Sequence, residues 1–335
     1  MKAYLEKAMA GQDLSQAEMH AAMDLIMSGD APPAQVAAFL VALRIKGESV
    51  DEIAGGAASM RAHAVQIDAG GLDVVDTCGT GGDGAHTFNI STTAAFVAAG
   101  AGVPIAKHGN RAISSRCGSA DVLAALGVNV EASPDVVSDC IQKIGIGFLF
   151  APTMHPAMKH AGPVRRELGI RTVFNMLGPL TNPAGAKRQV IGVFAAELTD
   201  VFAEVLKALE AEAAFVVHGA DGLDEITTTT TTRVSELRDG EVKTYDLDPD
   251  DFVSRRASLE DLQGGDAEQN AALLRGVLGG DQAPRRDIVC LNAAAAIVAG
   301  GKASDLKAGY EAAQAAIDSG GARAKLDALI VASQA

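Results

Sequence analysis

Positive charge is scarce in this chain. Its 335 residues carry 28 Lys and Arg against 42 Asp and Glu, a formal net charge of −14. Such a field repels nucleic acid and anionic membrane surfaces, so neither is an expected partner. It also repels phosphorylated small molecules unless a few local cations or a metal ion reverse its sign. Cysteine is scarce too: four residues, at 78, 117, 140 and 290, with no metal-ligand spacing and too few for a disulfide scaffold. Reduced thiols, and hence a cytoplasmic location, are the expectation. No apolar run approaches the ~18 residues of a membrane span. Residues 1–6 carry early charges and no apolar stretch, so no secretory signal is read there. Tryptophan is absent altogether. What remains is 48% hydrophobic, enough for a large core in two domains or one elaborate α/β domain.

Residues 1–65 read as helices. Ser15-Gln16-Ala17-Glu18 and Ser49-Val50-Asp51-Glu52 are capping boxes, in which a Ser and an acid each satisfy a free backbone N–H. Gly29-Asp30 stops one helix and Pro32-Pro33 opens the next, which runs to Gly47. A small helical domain over 1–68 is expected, with a linker near 68–72. The pairs Gly55-Gly56 and Gly70-Gly71 could permit movement of that domain. From residue 73 the pattern changes. Strands are predicted at 74–76, 103–106, 147–150, 189–194 and 214–217, alternating with helices near 90–100, 119–126, 134–144 and 199–209. That alternation predicts the α/β class, with a mostly parallel central sheet covered by helices. Residues 226–247 read as further strands joined at Arg238-Asp239-Gly240, with the six threonines at 227–232 as a β-branched strand. Residues 267–334 read as three or four Ala-rich helices.

Ligands of open α/β sheets bind beyond the carboxyl ends of strands, and two unusual loops fall there. Gly79-Thr80-Gly81-Gly82-Asp83-Gly84 follows the strand at 74–76 and offers bare backbone N–H groups. It matches G-x-G-x-x-G, but a dinucleotide fold needs an acid at the end of the next strand, and here that strand ends in Lys107-His108. A cation there suits phosphate. No Walker A pattern is present. Lys107-His108-Gly109-Asn110-Arg111 is the second loop, continuing through Ala112, Ile113, Ser114 and Ser115 to Gly118-Ser119. Isolated, Lys107 and Arg111 would be ordinary solvated charges; directly after a buried strand Lys107 is a phosphate candidate. Thr87-Phe88-Asn89-Ile90-Ser91-Thr92 opens the intervening helix, where Asn89, Ser91 and Thr92 can cap it or offer donors to an anion.

Asp224 and Glu225 are adjacent carboxylates after the strand at 214–217. They read as an acidic turn or, beside two phosphate-type loops, as hard oxygen ligands for Mg²⁺. In Pro163-Val164-Arg165-Arg166-Glu167-Leu168 one guanidinium can clamp a substrate carboxylate while the other pairs locally; position alone does not choose. His155, His160 and His218 show no metal spacing and read as structural or surface residues. No base accompanies Cys78 or Cys117, so neither is assigned as a nucleophile.

Taken in order, these motifs resemble the anthranilate phosphoribosyltransferase family of tryptophan biosynthesis. Further motifs extend the similarity over nearly the whole chain: Gly118-Ser119-Ala120-Asp121, Arg165-Arg166-Glu167-Leu168-Gly169 and Asn175-Met176-Leu177-Gly178-Pro179-Leu180-Thr181-Asn182-Pro183. The resemblance implies a homodimer in which residues of about 160–185 join the N-terminal helices, leaving 73–159 and 186–335 as the α/β phosphoribosyl-binding domain. It implies transfer of the 5-phosphoribosyl group of phosphoribosyl pyrophosphate (PRPP) to the amine of anthranilate. The family pattern puts PRPP against Gly79, Gly82, Asp83, Thr87, Asn89, Ile90, Ser91, Thr92, residues 107–115 and Ser119. Mg²⁺, as two ions with PRPP bound, falls to Ser91, Asp224 and Glu225. Anthranilate falls to Gly79, His108, Asn110 and Arg165. Lys107, Arg165, Asp224 and Glu225 are the expected catalytic set. A pyrimidine nucleoside phosphorylase of similar architecture is the alternative, but it has no use for the carboxylate pair at 224–225; thymidine plus phosphate would separate the two.

Overall fold

The N-terminal helices form where caps and apolar faces coincide. In a computed structural model describing residues 1–82, 84–112 and 116–335, α1 (Lys2–Met9), α2 (Gln16–Met27), α3 (Pro33–Lys46) and α4 (Val50–Ala62) come first. Both capping boxes close: Ser15 with Glu18, and Ser49 with Glu52. Glu52 is fully buried yet satisfied, accepting from the Leu14 N–H at 3.0 Å and the Lys46 ammonium at 2.8 Å. This ties the approach to α2 to the end of α3. Gly55 is a packing position inside α4, since a Cβ there would lie 2.3 Å from the Gln16 carbonyl oxygen of α2.

The α/β region continues with β1 (Val75–Gly79), α5 (Ile90–Gly100), β2 (Ile105–Gly109), α6 (Ser119–Leu126), α7 (Pro134–Ile144) and β3 (Ile146–Phe150). Then come α8 (Ala151–Met154), α9 (Met158–Leu168), α10 (Phe174–Leu177), β4 (Arg188–Gly192), α11 (Leu198–Ala208), β5 (Ala213–Gly219), β6 (Thr232–Arg238) and β7 (Glu241–Leu247). Four Ala-rich helices close the chain: α12 (Ala267–Leu278), α13 (Pro284–Ala299), α14 (Leu306–Asp318) and α15 (Gly321–Ala332).

The sheet order is β3-β2-β1-β4-β5-β6-β7, with β1 to β5 parallel and β6 and β7 antiparallel. From β1 the chain winds outward to β2 and β3, then crosses back to β4 and β5. The reversal leaves a crevice beyond the carboxyl ends of β1 and β4, where such sheets bind ligands. Strands covered on both faces send alternate side chains to opposite sides. On β5, Phe215 and Val217 join a core with α5, α12 and α13, whereas Ala214 and Val216 join Phe39, Leu40 and Phe202 beneath α3 and α11. Helix α9 packs on α2 and α3, and α10 on α4. Ala161, Val164, Phe174 and Leu177 share the core of the N-terminal helices.

Of the threonine run only Thr232 enters a strand. Residues 227–231 instead make the turn that carries β6 back beside β5. The hydroxyls of Thr227 (2.7 Å) and Thr229 are taken by the Asp221 carboxylate, so local side-chain hydrogen bonds outcompete strand pairing. All four cysteines are free thiols. Among the described residues no helix is long and apolar enough to cross a membrane.

Candidate active site

Gly79 ends β1 and Gly192 ends its neighbour β4, and the turn bearing Asp224 lies directly over both. A Cβ on Gly79 would lie 2.7 Å from an Asp224 carboxylate oxygen; one on Gly192 would lie 1.6 Å from the Asp224 carbonyl oxygen. Only glycine admits that approach. The Gly81 N–H donates to Asp224 Oδ2 at 2.9 Å, and the Ser91 N–H, in the first turn of α5, donates to Glu225 Oε1 at 3.1 Å. The carboxylate pair thus organises both the Gly loop and the positive end of a helix. Thr80 is pinned to β4, its N–H on the Gly192 carbonyl at 2.8 Å and its hydroxyl accepting from the Phe194 N–H at 3.1 Å.

Asn89 does not cap α5 with its side chain. Its amide instead knots distant segments, donating to the Cys117 carbonyl at 3.2 Å and accepting from Asn270 Nδ2 at 2.9 Å. Glu225 supplies the helix-end acceptor that a capping side chain would have provided. Thr87 bridges to Gln263, and Ile90 and Thr92 are buried. Asp83, Ile113, Ser114 and Ser115 lie outside the described residues.

In the second loop Lys107 points inward. It is buried, with its ammonium donating to the Thr77 carbonyl on β1. Burial lowers its pKa, opposed by the charges of Asp76 and Glu225. Asp76, also buried, accepts from the His108 N–H at 3.0 Å and from Asn182 Nδ2 at 2.8 Å. The loop's turn is held from within: Ser119 Oγ bridges the Asn110 N–H and carbonyl at 3.2 Å each, while Asp121 Oδ2 takes the Ala112 and Gly118 N–H groups at 2.8 and 2.9 Å. A Cβ at Gly109 would meet Ser119 Oγ at 2.2 Å, which is why glycine stands there. Arg111 is turned toward Asp121 and Glu131, 3.4 Å from each, across the Phe150 ring.

The third wall comes from residues after β3. Arg165 on α9 is half-buried, its guanidinium 5.1 Å from the centre of the Phe174 ring. His108 meets His155, which directly follows α8. Arg171 Nη2 donates to the Gly82 carbonyl at 2.9 Å while its guanidinium stacks 4.3 Å from the centre of Phe194. Sequence reading missed Asp76, Asp121, His155, Arg171 and Asn182 as parts of this site. For Asp121 the signal was present, an acid three residues after the Gly118 cap. Burial pushes the Cys78 thiol well above its ordinary pKa, which leaves it protonated.

The structure therefore gathers a backbone N–H loop, an oriented carboxylate pair and a buried ammonium around one crevice. Among the described residues there is no cluster of three or more His, Cys, Asp or Glu side chains arranged for a metal. Two carboxylates, one of them on the Ser91 N–H and the other on the Gly81 N–H, form a hard but incomplete donor set. That suits an ion which brings waters and substrate phosphates with it, as Mg²⁺ does.

Comparison with known proteins agrees with that arrangement. Residues 2–64 match the glycosyl transferase family, helical bundle domain, and residues 71–323 match the glycosyl transferase family, a/b domain. Anthranilate phosphoribosyltransferase of Moorella thermoacetica is 56% identical over 330 residues, covering 98% of this chain and 97% of that protein. The Desulfosudis oleivorans enzyme of the same name is 57% identical over 327 residues, covering 97% and 96%. The crystal structure of anthranilate phosphoribosyltransferase from Thermus thermophilus superposes with a TM-score of 0.94 at 46% identity, covering 99% of each chain. The Saccharomyces cerevisiae enzyme in complex with PRPP and Mg superposes with a TM-score of 0.89 at 30% identity, covering 99% of this chain and 97% of that one. With both domains matched in order and relatives aligned from end to end, the chain belongs to the anthranilate phosphoribosyltransferase family of pentosyltransferases.

Proposed function

We propose that the protein transfers the 5-phosphoribosyl group of PRPP to the amine of anthranilate. The products are N-(5-phosphoribosyl)anthranilate and pyrophosphate, and the reaction is the second step of tryptophan synthesis from chorismate. The observation that carries this reading is the grip of Asp224 on the Gly81 N–H and of Glu225 on the Ser91 N–H, which puts two oriented carboxylates against a loop built for phosphate. The yeast relative's structure with PRPP and Mg supports it, as does the same enzyme in complex with 4-fluoroanthranilate.

Asp224, Glu225 and the Ser91 hydroxyl would hold Mg²⁺, as two ions with PRPP bound; the metal's chemistry is neutralisation of negative charge on the pyrophosphate. The chain does the rest by positioning. The bend at Gly79–Gly82 and the loop that Ser119 and Asp121 hold in shape line the seat of the phosphates. The buried Lys107 ammonium adds fixed positive charge beneath the β1 end as the leaving group becomes more anionic. Arg165 holds the anthranilate carboxylate, with Gly79, His108 and Asn110 around it, and aims the neutral aryl amine at the ribose carbon. As the new C–N bond forms, the bond to pyrophosphate breaks, pyrophosphate keeps the bonding electron pair, and the nitrogen's proton passes to water. The protein works as a homodimer in the cytoplasm.

A fluorescence assay of anthranilate consumption, with PRPP and Mg²⁺ omitted in turn, tests the reaction; turnover that persists without either would end it. In the same assay Arg165→Ala is expected to raise the anthranilate KM by about tenfold or more, in line with loss of a charged hydrogen-bonded clamp, and to leave the PRPP KM unchanged. An unaltered anthranilate KM would remove Arg165 from its role.

A further inference from the structure

The rings of His108, at the end of β2, and His155, just past α8, face each other Nε2 to Nε2 at 3.2 Å. Their centroids are 5.0 Å apart with planes at 58°, and both residues are buried. Burial pushes both below the usual histidine range, to about 3 for His108 and about 4 for His155, so both rings are neutral near pH 7. Two neutral imidazoles meeting through the same atom share one proton: one Nε2 donates and the other accepts. His155 Nδ1 is buried without a hydrogen-bond partner. Were the His155 proton on that atom, a buried N–H would be stranded, the costlier orphan. The proton therefore sits on His155 Nε2, which donates, and Nδ1 keeps a lone pair. His108 Nε2 is then a bare acceptor and the His108 proton sits on Nδ1.

We infer that His155 is a positioning residue for His108: by donating its Nε2–H it locks His108 in the Nδ1–H tautomer and fixes its ring before substrate arrives. This rests on the reading of His108 as an acceptor-side residue. Two elements meet in the lock, namely the β2 end and the residue after α8. The anthranilate side of the crevice is thereby rigid on the His108 flank.

Nitrogen NMR of the histidine side chains in the full-length protein tests the tautomer directly. The expectation is His108 protonated at Nδ1 and bare at Nε2 in the wild type, and a mixture of tautomers in His155→Phe. That variant should lose about tenfold in kcat/KM for anthranilate, with the PRPP KM unchanged. His155→Gln, whose amide can still donate, should restore the tautomer and most of the activity. A wild-type His108 protonated at Nε2, or a tautomer indifferent to His155→Phe, would overturn the inference; if His155→Phe does not fold, the wild-type spectrum alone decides. A correct tautomer in a protein that turns over no anthranilate would uphold the lock and defeat the proposed reaction instead.

Discussion

After β1, the backbone of Thr80, Gly81 and Gly82 is held by Gly192, Asp224 and Arg171, with Asp224 lying 143 positions away and Arg171 89. After β2, the backbone of Asn110 and Ala112 is held by Ser119 and Asp121, each nine positions on. Both loops follow a parallel strand, and both open on one crevice. The first acquires its shape only when β4, the turn at 219–225 and the segment after α9 are in place. The second can be shaped by its own residues once β2 and α6 exist. Long-range anchoring couples a loop to global assembly; local anchoring makes it a pre-formed part.

The comparison breaks most visibly at the carboxylate pair. Asp224→Asn with Glu225→Gln keeps shape and volume but removes both charges; kcat is expected to fall by about 10² or more, with circular dichroism and thermal midpoint close to wild type. Undiminished Mg²⁺-dependent turnover would show that the first loop is held there for structure alone.

Acid is the next probe, because it acts on the second side through His108 and His155. Unfolded histidines take up protons below about pH 6.5, whereas the folded rings resist until about 3 and about 4. Between those values the unfolded state binds more protons. Stability from this pair is therefore fully present above about pH 6.5 and declines as pH falls through the window toward 4. Thermal midpoints at pH 7 and pH 5 should differ less in His155→Phe than in wild type. An equal difference would detach the pair from acid sensitivity.

The smallest effect is expected at Asp121→Ala. It strands the Ala112 and Gly118 N–H groups, and a loss of about 1–3 kcal/mol follows from unsatisfied donors. The PRPP KM should rise while the anthranilate KM holds. If instead the Gly79–Gly82 side failed, seen as lost Mg²⁺ dependence, the second loop would not be self-contained.

These two kinds of anchoring also explain what could be read from the sequence. Capping boxes at Ser15 and Ser49, the proline start at Pro33, the glycine stop at Gly47 and the alternation of strand and helix are written within a few residues of where they act. The Gly loop and the Lys107–Asn110 loop were visible for the same reason, since each follows a recognisable strand. Long-range partners had no local signature. The Asn89 side chain looked like a helix cap and instead spans Cys117 and Asn270. The threonine run looked like a strand until Asp221 claimed its hydroxyls. His155 read as structural or surface because its meaning depends on His108, 47 residues earlier.

Arg171 carries a mechanical consequence. It stands between α9 and α10, whose helices pack on the N-terminal bundle, yet its guanidinium grips the Gly82 carbonyl and lies over Phe194. It behaves as a tie-rod. A displacement of α9 and α10 relative to the sheet must either carry Gly82 along or break that bond, so the geometry of the Gly loop is tied to the seating of the helical bundle through one side chain.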